Sequence, residues 1–267
     1  MTGADGSPDN APLIAAFKTT ASRIGVTPQL LAPGRGIDAG AAIRTAFAGA
    51  ADAVCIVVGS DADRESARQA AMSIRRPVIA IEDRLEGSPV RDALRDAFSG
   101  IVGPDAVTAG RMAGQALLPL WGHAQVAVLA ATDADFARAS GFSSSVSGAL
   151  AVVATLRVRA DGGDVAAQVG KLIQRYPHIG ALFCTNVDAA KGALGAIAAA
   201  GLTRKVAIVV AGSTSELRAR RAAGDIVILI DRRPDLIGRQ AAELAVGLLD
   251  GRFDPHEEVV TTQQIVR

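Results

Sequence analysis

The chain has 267 residues with Lys+Arg 28 against Asp+Glu 27, and a formal charge of +1 provides no broad field for nucleic acid or an anionic membrane. Hydrophobic residues make up 49% and aromatics only 3%, which predicts a core of Ala, Val, Leu and Ile with helices packed closely on a sheet. No run reaches the ~18 consecutive apolar residues of a membrane span, and MTGADGSPDN lacks the basic and apolar regions of a secretory signal.

After this polar start, helical periodicity alternates with short β-branched runs at βαβ spacing. The predicted strands are Gln29–Ala32, Ala53–Val58, Pro77–Ile81, Gly100–Val102, Gln125–Ala130, Val152–Val158, Ala181–Cys184, Val206–Val210, Ile226–Ile230 and Val259–Val266. Most are continuously apolar rather than alternating, as parallel strands covered on both faces are. Asp105 and Asp188 are placed to cap helices, and Pro234 to start one that ends at Gly251. Two α/β series of similar size, about residues 11–100 and 105–230, precede a last helix and strand, which predicts two similar lobes. Cys55 and Cys184 each lie in an apolar run and are expected to be buried free thiols.

Enzyme markers are thin. Gly34-Arg35-Gly36 with Gly40 spaces its third glycine one residue too far for a dinucleotide loop, so a plain βα turn is the better reading. GFSSSVSG holds no nucleophile elbow, and no Walker-type Gly-Lys-Ser/Thr occurs. His123, His178 and His256 are scattered in turn-like sequence without metal-ligand spacing. No catalytic residue, metal site or cofactor is expected. Asp61, Asp63, Glu82 and Asp83 could form an acid/base pair, but acidic loops also describe a site that accepts hydrogen bonds from hydroxyls.

Ligands in open α/β sheets sit beyond the carboxyl ends of the strands. Here those ends carry Gly59-Ser60-Asp61, Glu82-Asp83-Arg84, Asp133 to Arg138, Thr185-Asn186 with Asp188, Gly212-Ser213-Thr214 and Asp231-Arg232. Any one could be a solvated loop or a helix cap, but their recurrence in both halves favours a pocket.

Five segments, in this order and spacing, carry a family resemblance: PVIAIEDR (77–84), GIVGPDAVTAGRMAG (100–114), an R-x-x-G-F motif at Arg138, Gly141 and Phe142, ALFCTNVDAAKGALGAIAAAGL (181–202) and AAGDIVILIDRRPDLIGRQAAELAVGLLDG (222–251). From about Leu13 onward the chain resembles the type I periplasmic binding proteins, the ribose-like sugar receptors, and the effector domains of lac-repressor-type regulators. The resemblance implies an α/β fold of two Rossmann-like lobes with parallel sheets and a ligand cleft. The lobes would be residues 1–103 plus 233–258 and residues 104–232 plus 259–267, with hinge crossings near Gly103, Arg232 or Arg233, and Glu258.

It also implies a ligand-binding set of Asp61, Asp83, Arg84, Phe136, Arg138, Asn186, Asp188 and Arg232. Arg138 looks like the arginine that forks onto ligand oxygens, a role suited to its planar donors. Asn186 looks like the asparagine after the strand, and Phe136 replaces absent stacking aromatics. The chain departs from the pattern in having Val187 after Asn186, Val210-Ala211-Gly212 after the next strand, and Arg232 at the hinge glutamine. Two expected acceptors are thereby lost and two arginines face the ligand, which moves the expectation from ribose toward an acidic ligand.

The usual first strand is missing, since Gly3–Asn10 leads almost directly into a helix, and the first lobe is expected to be incomplete. The implied function is capture of a sugar, polyol or sugar acid by hinge closure, as the receptor of an ABC-type importer. Its partners would be the small ligand and a membrane permease or sensor, with a homodimer as one option and no direct nucleic-acid contact. Its place would be periplasmic if a signal is missing from this chain, and cytoplasmic otherwise. The alternatives are the effector-binding domain of a lac-repressor-type regulator, and an α/β enzyme acting on a small polar substrate through Asp61, Asp83 or Asp188.

Overall fold

The structure is a computed structural model and describes residues 2–3, 10–31, 38–58, 60–83 and 90–266. The chain divides into two compact units, Met1–Asp105 with Arg233–Thr262 and Ala106–Arg232 with Gln263–Arg267.

The first unit contains β1 (Thr2–Gly3), α1 (Ala11–Arg23), α2 (Ala39–Ala48), β2 (Val54–Val57), α3 (Asp61–Met72), β3 (Val78–Ile81), α4 (Val90–Ala97) and β4 (Gly100–Pro104). The second unit contributes α5 (Ala106–Trp121), β5 (Gln125–Ala130), α6 (Asp133–Val146), β6 (Ala151–Arg157), α7 (Val165–Arg175), β7 (Ile179–Cys184), α8 (Val187–Ala199), β8 (Ala207–Ala211), α9 (Ser215–Ala222) and β9 (Ile228–Asp231). The chain then returns to the first unit for α10 (Pro234–Leu249) and β10 (Glu257–Thr261), and to the second for β11 (Gln264–Val266).

In the first unit all strand pairs are parallel, in the order β1-β2-β3-β4-β10. Successive side chains on a strand alternate faces. Cys55, Ile79, Ile81 and Val102 therefore meet Leu13, Phe17, Ile237 and Ala241 of α1 and α10 on one face. Val54, Ile56, Val78 and Ala80 are buried on the other, where α2 and α3 pack on each other and α2 meets β2. Burial on both faces explains why these strands read as continuous apolar runs.

The second unit has the order β11-β9-β8-β7-β5-β6. Its central strands are buried along almost their whole length, and Phe142 of α6 stacks on Phe183 of β7 with ring centroids 4.7 Å apart. Cys55 and Cys184 are buried and free, and burial pushes both thiols up to about 12, which makes them unreactive near neutral pH. No described helix is long and apolar enough to cross a membrane.

The structure corrects four expectations. The slot expected to lack a first strand holds, among the described residues, Thr2–Gly3, which pairs in parallel with Ile56 and Val57. The strand expected over Gln29–Ala32 is reduced, in its described part, to an isolated bridge at Leu31, with Leu30 40% exposed. The single strand expected over Val259–Val266 is two strands in two sheets: β10 parallel to β4, and β11 antiparallel to β9. Because β10 pairs with β4 from Glu257 to Thr261, residues 259–262 belong to the first unit rather than the second.

Candidate functional site

In the second unit the carboxyl end of β5 leads into α6 through a turn that builds its own polar centre. Thr132 caps α6 by accepting from the Asp135 backbone N–H, and the Asp135 carboxylate reaches back in a capping box. Asp135 Oδ2 accepts from the backbone N–H of Ala131 and of Thr132, both at 3.1 Å, and from Asn186 Nδ2 at 2.7 Å. Its other oxygen accepts from Arg138 Nη1, one turn further along α6. Asp135 is 1% exposed, so every one of these bonds replaces water.

Arg138 is 5% exposed, and its Nη1 also donates to the Thr185 carbonyl oxygen at 3.0 Å. The guanidinium is therefore tied to α6 and to the carboxyl end of β7 at once. Thr185 itself is anchored by its hydroxyl, which donates to the Leu129 carbonyl at 2.8 Å. Burial, and then the positive charge of Arg232, hold the Arg138 guanidinium below the usual arginine range. Arg232 is half-buried at the end of β9; burial lowers it too, and the Asp135 carboxylate opposes that shift. Asp135 thus bonds one arginine and lies in the field of a second.

Asn186 joins this centre, but its carbonyl is engaged: Oδ1 accepts from Ala189 N–H at 2.8 Å and caps α8. The expectation that Asp188 caps α8 is corrected accordingly, and Asp188 lies exposed in the first turn. Phe136 is half-buried, with the Arg157 guanidinium 4.2 Å above its ring, so one aromatic face is covered by a cation from β6. At the end of β9, Asp231 is 5% exposed and accepts from Arg218 at 2.8 Å.

The first unit carries its own polar cluster at the carboxyl ends of β2 and β3. Ser60 caps α3, accepting from Asp63 N–H at 3.1 Å. Arg64, on the first turn of that helix, donates to Asp61 and, through Nε, to Glu82 Oε2 at 2.8 Å. Glu82 and Asp83 are both buried. Glycine at 103 lets β4 lie against this corner, since a Cβ there would sit 1.7 Å from the Glu82 carbonyl oxygen. Arg84 lies outside the described residues.

Glu82 Oε1 is buried without a hydrogen-bond partner among the described residues. Desolvation raises the Glu82 carboxyl above the ordinary value of 4.5, against the opposing pull of Arg64. A carboxyl raised in the folded state contributes stability below its unfolded value, and that contribution is lost as pH rises through the folded value. Wild type should therefore lose stability relative to Glu82→Gln as pH climbs from about 4.5 toward neutrality. Urea midpoints for the two proteins across that window test this, and a constant difference would refute it.

Within each unit, then, Arg138, Asn186, Phe136 and Arg232 gather at one end of the second sheet, and Asp61 and Asp83 at one end of the first. Sequence reasoning missed Asp135 as the hub and Arg64 as the link between Asp61 and Glu82. The Thr132-x-x-Asp135 spacing was the available signal for the first; the second pairs residues 18 apart and has none.

A family model described as a periplasmic binding protein domain matches residues 6–253. Among curated proteins no match was found. A periplasmic component of an ABC-type sugar transport system from Hahella chejuensis is similar, with TM-score 0.80 and 22% identity over 100% of this chain and 98% of that one. A carbohydrate transporter solute-binding protein from Agrobacterium radiobacter, in complex with D-arabinose, gives 0.81 at 21% identity, covering 99% and 92%. An ABC transporter periplasmic solute-binding protein from Actinobacillus succinogenes, with bound D-allose, gives 0.85 at 18% identity, covering 99% and 95%. At these identities the likeness is one of fold.

Proposed function

The chain belongs to the periplasmic binding protein domain family, and from that premise we propose that it is a receptor for a small polar, sugar-like ligand, which it binds without chemical turnover. The observation that carries this reading is the fixed guanidinium of Arg138, held by Asp135 and the Thr185 carbonyl at the carboxyl end of a parallel sheet. A side chain already locked in place loses little rotamer freedom when it meets a ligand. Its planar donors suit vicinal hydroxyls or a carboxylate. Similar structures with D-arabinose and D-allose make sugars the first class to test.

The ligand-recognising set in this reading is Arg138, Arg232, Asn186, Phe136 and Asp188 from the second unit and Asp61, Asp83 and Arg84 from the first. Ligand contacts shift an open/closed equilibrium, which is the hinge closure implied by the resemblance. Delivery to the permease of an ABC-type importer, and a periplasmic location, belong to the same proposal. Calorimetric titration with D-arabinose, D-allose, their polyols and their sugar acids tests it. At least one should bind saturably; a folded sample that binds none would sink the receptor reading.

A further inference from the structure

At the carboxyl end of the second sheet one guanidinium is held in place without a carboxylate to balance it. Arg157, the last residue of β6, stands opposite Ala130 at the end of β5. Its Nη1 donates to the Ala131 carbonyl at 3.2 Å, and its guanidinium lies 4.2 Å from the centre of the Phe136 ring. Ala131 N–H in turn donates to Asp135 Oδ2, so Arg157 hangs from the same turn that carries Asp135 and Arg138. Nearby arginines differ from it in one respect: Arg138 bonds Asp135, Arg159 bonds Asp161 and Arg218 bonds Asp231. Arg157 bonds no carboxylate among the described residues.

A guanidinium carries five N–H donors, and the Ala131 carbonyl takes one of them. The ring beneath holds its plane and the backbone bond holds its direction, so the remaining donors are oriented before any ligand arrives. The same stacking works against a neutral sugar, whose apolar ring face would need the side of Phe136 that Arg157 already covers. The first-turn acids Asp133 and Asp188 sit at the amino-terminal ends of α6 and α8, where the helix dipole stabilises them, and neither bonds Arg157.

We propose that Arg157 is a specificity-determining residue that recognises a carboxylate on the ligand, so that the sugar-like class narrows to sugar acids. This rests on the receptor reading and goes beyond it by assigning a residue and a ligand charge. A planar guanidinium meets the two oxygens of a carboxylate with parallel N–H donors, a match that a neutral hydroxyl pair makes more weakly. Phe136 then acts through Arg157, as the platform that orients it, rather than as a stacking surface for the ligand.

Calorimetric titration of the whole chain with D-galacturonate against D-galactose, and with D-arabinonate against D-arabinose, tests the assignment. Wild type should bind at least one acid more tightly than its neutral partner. Arg157→Gln should cut that preference by about tenfold, the size of one charge-assisted hydrogen bond. Arg157→Lys keeps the charge but loses the planar fork, and should lower the preference as well. Arg157 is exposed, so both variants should fold, and their melting curves check this. Equal or tighter binding of the neutral sugars by wild type, or an equal loss for both members of a pair in Arg157→Gln, would overturn the assignment and leave the receptor reading standing. Binding of none of the four compounds would count against both.

Discussion

Arg138→Ala should lower the unfolding free energy by about 3 kcal/mol, the lower end of the cost of breaking a buried ion pair, and should abolish ligand binding. Asp135 is 1% exposed and would lose the cation bonded to it, leaving only the more distant field of Arg232. It keeps three donors, Ala131 N–H, Thr132 N–H and Asn186 Nδ2, which is why the lower end applies. Arg138→Ala with Asp135→Asn should recover part of the stability, since the double change removes a buried charge that has lost its bonded cation. It should not recover binding if, as proposed, the guanidinium meets the ligand. Urea denaturation and calorimetry on the three variants separate the two roles. A fully folded Arg138→Ala that still binds would remove Arg138 from the site.

The fold was legible where burial on both faces imposes composition. Val54–Val57, Val78–Ile81, Val126–Ala130 and Leu182–Cys184 are apolar without interruption because helices cover both sides of each sheet. Thr2–Gly3 could not be read that way, since a small and a polar residue carry no strand signal and their place comes from pairing with Ile56 and Val57. The Val259–Val266 run looked like one strand because β-branched residues mark extended chain without saying which sheet receives it.

The polar clusters were legible as a set of strand ends, but not as a network. Arg138 and Asn186 stood out by motif position, whereas Asp135, which joins them, could be taken for one more first-turn acid of a helix. Phe136 could be named from sequence, yet the Arg157 cation over its ring comes from the next strand and leaves no local pattern.

The R-x-x-G-F motif joins packing and the polar contacts of Arg138 in one turn of helix. Phe142 is fully buried against Phe183, and Arg138 makes the polar contacts; Gly141 sets how close α6 lies to α5. A Cβ at Gly141 would sit 2.1 Å from the Val107 carbonyl oxygen, and one at Gly110 would sit 1.8 Å from the Arg138 carbonyl oxygen. Both obstacles are backbone, so relief requires the helices to move apart. Gly141→Ala should therefore cost about 3 kcal/mol, the upper range for overpacking, and should weaken ligand binding because Arg138 rides on the displaced turn. A shift of even half an ångström would stretch its 3.0 Å bond to Thr185 beyond useful geometry. Gly170→Ala in α7 is the matched control: nothing lies within 4 Å of its Cβ position, and the change should stabilise by about 0.5–1 kcal/mol through helix propensity alone. Opposite signs for the two alanines, read from urea midpoints, would establish that close helix approach rather than glycine content sets the geometry of Arg138; equal signs would refute it.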